Sequence, residues 1–359
     1  MEIERRNIEK LLELLPPGWE QQARETGALT RSRNIKNAEE LLRLNLLYQT
    51  SGGSFGKTSA LLKLTEGTSL NKNAVYERIV KSGEWLRWLC ENICRNAGQL
   101  AEKPEWLKEK NVRLIDATDE SQVGSRQADY RLHYCVELFS LCMVEMHLTE
   151  ASKGEKLTNF NNLCKDDVIL ADRAYGTIRG LEHLKGTGCE FVIRLRANAF
   201  TLYNERREKV ELTDYFEDLE ERESSDAWLW YRNGNQYEQV RICALRKTKE
   251  DEEKGLSQIK KSNTKKMRGK VSELQSIYNK YVIVATNLSQ EVSSTKILEL
   301  YRMRWQIELV FKRFKSIFSY DEMPSKVKES VQAWFYGKLL VAAICEALVN
   351  RGRFSPNPR

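Results

Sequence analysis

Histidine is nearly missing from this chain: there are three in 359 residues, His133, His147 and His183. None has a second histidine or a cysteine at ligand spacing, so chemistry built on a histidine base or an imidazole-bound metal is not expected. The eight cysteines (Cys90, Cys94, Cys135, Cys142, Cys164, Cys189, Cys243 and Cys345) are scattered, and none forms a Cys-x-x-Cys pair. Cys90 and Cys94 lie four apart on a helical pattern, but no second pair answers them, and a zinc site needs four ligands. They read as small buried hydrophobes in a reducing compartment. No run of eighteen apolar residues occurs, so no membrane partner and no spanning helix is expected. The opening "MEIERRNIEKLLELLPPG" is charged and helical rather than signal-like, which points to a cytoplasmic protein.

What is present is a globular balance, 41% hydrophobic and 30% charged, on a chain long enough for two or three domains. The net charge of +7 understates how the cations cluster. "KKSNTKKMRGK" (residues 260–270) and the helix pattern around Glu308 are basic, while "FEDLEERESSD" offsets them elsewhere. Basic patches favour polyanions. By itself the 260–270 run reads as a solvated loop.

The first ninety-odd residues repeat apolar positions at helical spacing, as in "NAEELLRLNLLYQ". "SFGKTSALLKLTEG" followed by "TSLNKNAVYERIVKSGEWLRWLCENI" reads as two helices joined by a Gly-Thr-Ser turn, with Ser69 capping the second. That pattern fits a helix-turn-helix able to present residues 71–78 to DNA, and equally a plain helical bundle. The period then changes. "NVRLIDAT", "YRLHYCVEL" and "LCMVEMHLT" read as three antiparallel strands. "DDVILADRAYGT", "GTIRGLEHLKGTG" and "CEFVIRLR" read as strand, helix, strand, an α/β pattern. Residues 197–279 look like a β-rich insertion with a hairpin at Asn233-Gly234-Asn235. "KYVIVATNL" is a further buried strand, followed by a helix capped by Ser293 or Ser294. The expected domains are a helical one at 1–98, a core at 99–196 and 280–359, and the insertion at 197–279.

Asp116 and Asp172 each end an apolar strand, and Glu308 lies in "YRMRWQIELVFKRFK" (residues 301–315). On one continuous helix, Tyr301, Arg304, Trp305, Glu308, Lys312 and Lys315 fall within roughly 100°. Met303, Ile307, Val310, Phe311, Phe314 and Phe318 fall on a separate apolar arc. The bland account of the polar arc is a solvated face whose i,i+4 pairs contribute about 0.2–0.5 kcal/mol each. The chemical account is that three converging carboxylates are hard oxygen ligands suited to Mg²⁺ or Mn²⁺. Two such ions about 4 Å apart can serve the attacking and leaving oxygens of a phosphodiester. Arg304, Lys312 and Lys315 would then hold phosphates, and Trp305 and Tyr301 could stack on an unpaired base. Asp119 and Glu120 are rivals to Asp116, which is preferred because it directly follows the apolar run. Asp166 and Asp167, ahead of their strand, read as caps or surface charges.

These residues resemble the DDE transposases of bacterial insertion sequences, in particular the subgroup with a Tyr-x₂-Arg-x₃-Glu-x₆-Lys signature. Tyr301, Arg304, Glu308 and Lys315 reproduce that spacing, "RLIDAT" is similar to the first-acid strand and "ILADRAYG" to the second-acid motif. The resemblance implies a ribonuclease-H-like mixed-sheet core, with a β-rich insertion between the second acid and the glutamate and a helical N-terminal domain. It carries Asp116, Asp172 and Glu308 over as catalytic metal ligands for two Mg²⁺ ions, with Mn²⁺ as a substitute. Tyr301, Arg304 and Lys315 carry over as DNA contacts, with Trp305 matching a tryptophan often found after the arginine. The implied activity is cleavage of element ends followed by strand transfer. The implied partners are double-stranded DNA at terminal inverted repeats, target DNA, and a second subunit when two ends are paired, in a nucleoid-associated setting. Relatives usually continue with more helix after "WFYGKLL", so weaker subunit pairing is expected if that part mediates it. The competing functions are a stand-alone metal-dependent nuclease and a non-catalytic copy that occupies terminal repeats as a repressor.

Overall fold

A computed structural model describes residues 11–93, 101–121, 125–196, 199–265, 269–318 and 327–353, with backbone alone for 265, 313–318, 346 and 349–353. The α-helices are labelled α1 (Trp19–Glu25), α2 (Ala38–Thr50), α3 (Phe55–Glu66), α4 (Lys72–Lys81), α5 (Gly83–Ile93), α6 (Ile178–Thr187), α7 (Thr213–Phe216), α8 (Lys249–Lys265), α9 (Glu273–Asn279), α10 (Ser294–Arg302), α11 (Gln306–Phe318) and α12 (Lys328–Arg353). The strands are β1 (Asn111–Glu120), β2 (Tyr130–Glu137), β3 (Met143–Glu150), β4 (Asp167–Ala171), β5 (Glu190–Arg194), β6 (Leu202–Tyr203), β7 (Lys209–Val210), β8 (Ser224–Asn233), β9 (Gln236–Arg246) and β10 (Tyr281–Thr286). Two compact units emerge: residues 1–102, 117–154 and 308–359, and residues 103–116 and 155–307.

In the first unit, α2 starts at Asn37, whose side chain accepts the Glu40 amide at 2.9 Å. α3 ends on Gly67, which supplies the left-handed φ of +66° that closes the helix. The next cap is Asn71, accepting the Ala74 amide at 2.8 Å, rather than the expected Ser69. Leu70 decides this: it is buried in the turn, and the Ser59 hydroxyl donates to its carbonyl. The single helix expected beyond that turn is two, because the chain breaks at Ser82. Its hydroxyl donates to Arg78 O at 2.8 Å and accepts from the buried Asn45 amide at 3.1 Å. α12 packs on α2, α4 and α5, burying Trp334, Phe335 and Tyr336. A fully buried side chain such as Phe335 contributes about 1.5–3 kcal/mol. α5 lies on β3, where Glu91 accepts the Met146 amide at 3.0 Å and Tyr336 Oη accepts the Leu148 amide at 3.1 Å. β2 is hydrogen-bonded between the end of β1 and its antiparallel partner β3.

The second unit holds the strand order β1-β4-β5-β10-β9-β8-β6-β7. β1, β4 and β5 are mutually parallel, and the remaining neighbours are antiparallel. All five residues of β4 are buried, as a near-continuous apolar run in a parallel sheet should be. α6 makes the crossover from β4 to β5, capped by Thr177 and closed by Gly188 at φ +75°. At its start β1 is tied to β4 by an Arg113–Asp167 ion pair of 2.7 Å, and Asp167 is fully buried rather than a surface charge. The sheet is thus mixed, as expected, and the strands of residues 197–279 continue it.

The insertion also holds two helices where the sequence offered only a Lys/Glu-rich stretch. Lys260 and Lys261, expected in a solvated loop, lie on α8. Tertiary packing explains the difference. Gly255 leaves room for Asn279, since a Cβ there would fall 2.2 Å from Asn279 Oδ1. The Asn279 amide donates to Glu252 O at 2.7 Å, and Lys247 Nζ donates to Asn279 O at 2.8 Å. Among the cysteines, Cys164 and Cys345 are exposed, whereas Cys90, Cys135, Cys142, Cys189 and Cys243 are buried as expected. Cys94 lies outside the described residues. No described helix is long and apolar enough to cross a membrane.

His133 is fully buried on β2, bonded to Thr149 Oγ1 at 3.0 Å. Burial, followed by the neighbouring Arg131 charge, lowers its pKa from 6.5 to about 4. Between those values the unfolded chain binds the proton more readily, so stability is intact above pH 6.5 and declines as pH falls through the window. Thermal melts from pH 7 to pH 4 should show this decline, with a flatter profile for His133→Gln.

Candidate active site

The register of three parallel strands builds the site. β1 pairs with β4 through Ile115 and Ala171, and the next residues are Asp116 and Asp172. β4 pairs with β5 through Ala171 and Ile193, and the residue after Ile193 is Arg194. Paired residues of parallel strands share a face, and neighbouring strands lie about 4.8 Å apart. Asp116, Asp172 and Arg194 therefore form a row across adjacent carboxyl-terminal strand ends, where ligands of open α/β sheets are held. Two carboxylates about 5 Å apart repel by about 3 kcal/mol at an effective dielectric constant near 20. Positive charge beside the row offsets such repulsion.

α10 supplies some of that charge. The helix packs on β5, β8 and β9 through a stripe that buries Ile297, Leu298, Leu300 and Tyr301. Ser293 is its cap, accepting the Lys296 amide. Just past the helix, Arg304 Nη1 lies 3.6 Å from Asp116 Oδ2, with both side chains largely buried. Asp172 Oδ1 accepts the Ala174 amide at 2.6 Å, which fixes the carboxylate at the strand end. The Tyr301 phenol is pushed above its usual value chiefly by burial; the Arg304 and Arg194 charges pull it down and Asp172 pushes it up. The turn after Asp172 approaches β5 so closely that a Cβ on Gly176 would come within 2.8 Å of Arg194 O.

Residues 301–315 are not one helix. α10 stops at Arg302, a 3-10 turn spans Met303–Trp305, and α11 begins at Gln306. The Met303 amide bonds Leu300 O, so the backbone has tightened to three residues per turn there. Over three residues this shifts the helical phase by about 60°. Met303 is consequently 37% exposed instead of buried, and Trp305 is 55% exposed. Ile307, Val310 and Phe311 are buried as expected. Glu308 and Lys312 are exposed residues of α11 and belong to the first unit. The side chains of Phe314, Lys315 and Phe318 lie outside the described residues.

The rivals are engaged elsewhere: Asp119 pairs with Arg131 at 2.6 Å, and the buried Glu120 accepts the Thr118 hydroxyl at 3.1 Å. Among the described residues no group of three or more His, Cys, Asp or Glu forms a ready-made metal cage. The acid pair offers two hard oxygen donors, which suits Mg²⁺, an ion usually held by one or two carboxylates together with substrate phosphates. Sequence reasoning missed Arg194. Its one local signal is a cation ending the apolar strand "CEFVIRLR", which carries no weight until the strand order is known.

An acid pair at parallel strand ends, with a Tyr-x₂-Arg element beside it, has the chemistry to hold a divalent ion against a phosphate. Residues 107–344 match the family model of the transposase DDE domain. The chain is 25% identical over 345 or more residues to several relatives; one is the transposase for insertion sequence element IS421 of Escherichia coli, matched over 346 residues covering 93% of this chain and 91% of that protein. It is 26% identical to the transposase for insertion sequence element IS231F of Bacillus thuringiensis subsp. israelensis, over 68% of this chain and 57% of that one. The transposase for IS231C of Bacillus thuringiensis subsp. berliner is 22% identical, over 95% and 78%. The chain belongs to the DDE transposase family, and it is an enzyme that cleaves DNA and transfers strands. The family implies dependence on a divalent metal.

If the Arg194 guanidinium balances the acid row, Arg194→Gln should slow DNA cleavage by about 10²-fold. Single-turnover cleavage beside a thermal melt checks this, with the melting temperature expected to stay near that of the parent.

Proposed function

We propose that this transposase cuts the ends of an insertion sequence and joins them to target DNA, with Asp116, Asp172 and Glu308 as the ligands of two Mg²⁺ or Mn²⁺ ions. The observation that carries this reading is the matched register of Asp116 and Asp172 beside Arg304 and Tyr301. Bound divalent ions would ease deprotonation of the attacking oxygen and stabilise the leaving one. Asp116 and Asp172 hold their oxygens on a rigid sheet end, and Glu308, on the first turn of α11, is the third ligand. The core is taken to be ribonuclease-H-like, in keeping with parallel β1, β4 and β5 and the α6 crossover.

The remaining side chains divide the work on DNA. Arg304 offers a planar fork for a phosphate, and Lys312 and Lys315 act as point charges. Trp305 presents an exposed ring on which an unpaired terminal base can stack. Tyr301 holds its phenol beside the acid row. In the helical N-terminal region, α4 buries Val75 and Ile79 while Asn71, Lys72, Asn73 and Glu77 face solvent. With α3 and the Leu70 turn, this supports a helix-turn-helix that reads the terminal inverted repeat. Two such chains pair when two ends are brought together.

The deciding experiment uses duplex DNA carrying a terminal repeat, with Mg²⁺ or Mn²⁺ present. Glu308→Gln is expected to lose at least about 10³-fold in cleavage rate while binding the same DNA with unchanged affinity. A variant that cuts like the parent removes Glu308 from the metal set. Products in which an element end is joined to a second duplex separate a transposase from a simple nuclease. For the reading helix, Asn73→Ala combined with Lys72→Ala should weaken repeat binding about tenfold or more in a gel-shift titration.

A further inference from the structure

Among the described residues the most deeply buried lysine or arginine is Arg241 on β9, which is 1% exposed. It meets Asp226 of β8 as a two-pronged pair, Nε to Oδ2 at 2.8 Å and Nη2 to Oδ1 at 2.9 Å. Its remaining reach goes to the backbone just ahead of α10: Nη1 donates to Ser289 O at 2.7 Å and to Val292 O at 2.8 Å. Val292 directly precedes Ser293, the cap of α10. Two further contacts tie the same hairpin to the same place. The Ser224 hydroxyl lies 2.9 Å from Thr295 Oγ1, and the Trp228 indole donates to the Gln290 side chain. None of these residues touches the acids, yet all of them grip the root of the helix that carries Tyr301 and leads into Arg304.

We propose that Arg241, braced by Asp226, is a positioning residue for cleavage: it fixes the root of α10 and so sets where Tyr301 and Arg304 stand over the acid row. The inference rests on the catalytic reading given above for Arg304.

The leverage is geometric. From Val292 to Tyr301 the chain climbs nine residues, about 13 Å at helical rise. A tilt of 5° at the root moves the far end by about 1 Å, and a misplacement of that size can lower a rate about 10²-fold. A lysine cannot replace this group, because one ammonium cannot span a carboxylate and two carbonyls in a fixed plane. Without its partner the buried Asp226 charge is left uncompensated, so stability must be followed alongside rate.

The test is a double-mutant cycle on the full chain. Arg241→Met, Arg304→Ala and the double variant are compared with the parent by single-turnover cleavage at saturating repeat DNA. Affinity is measured with Ca²⁺ and folding by thermal melt. The expected result is a loss of about 10²-fold for Arg241→Met with unchanged affinity, shrinking to threefold or less in the Arg304→Ala background. Arg241→Lys is expected to melt closer to the parent than Arg241→Met while recovering less than a tenth of the lost rate. If Arg241→Met does not fold, Asp226→Asn takes its place in the cycle, with a loss of about tenfold expected. Equal losses in both backgrounds, or parental cleavage by the folded variant, overturn the proposal. Parental cleavage by Arg304→Ala alone would instead bring down the catalytic reading on which it rests.

Discussion

Like charges held side by side are the constraint on which this structure turns. The parallel pairing of β1 with β4 sets two carboxylates at neighbouring strand ends. Counter-charge and hydrogen bonding offset their repulsion: Arg304 stands against Asp116, Arg194 ends the next strand at the same level, and Asp172 accepts a backbone amide. An arrangement that is costly when empty of counter-charge is one that receives cations readily. In the proposed reading, that same demand for counter-charge draws divalent ions, and the phosphates they accompany, to the two carboxylates.

The surrounding architecture holds that cluster rigid. β4 is buried along its whole length and apolar from Val168 to Ala171, so its end is held by packing. The Arg113–Asp167 pair locks the opposite end of the same two strands. A one-step slip between β1 and β4 would break that ion pair and pull Asp116 out of level with Asp172. Register here is fixed at both ends by charge and along the middle by burial.

Much of this was legible in the sequence, and the exceptions share a cause. β1 through β5 and β10 announce themselves as short apolar runs, and the hairpin shows itself by Asn-Gly at its tip, where Gly234 takes φ +58°. Asp116 and Asp172 could be chosen because each directly follows such a run. What local pattern could not reveal was anything decided by a distant partner. Arg194 matters only because β5 lies next to β4. The cap at Asn71 follows from the burial of Leu70, and the break at Ser82 from a bond to Asn45. The helix of residues 249–265 depends on Gly255 accommodating Asn279. The 3-10 turn at Met303–Trp305 interrupts a pattern that on a wheel looked unbroken, and it lies just before the chain passes from the second unit to the first.

The hairpin of β8 and β9 grips the start of α10 through Asp226, Arg241, Ser224 and Trp228. Replacing the hairpin while keeping α10, or the reverse, would remove at once the contacts that Arg241, Ser224 and Trp228 make to the start of the helix, whereas the turn at Gly234 makes none of them.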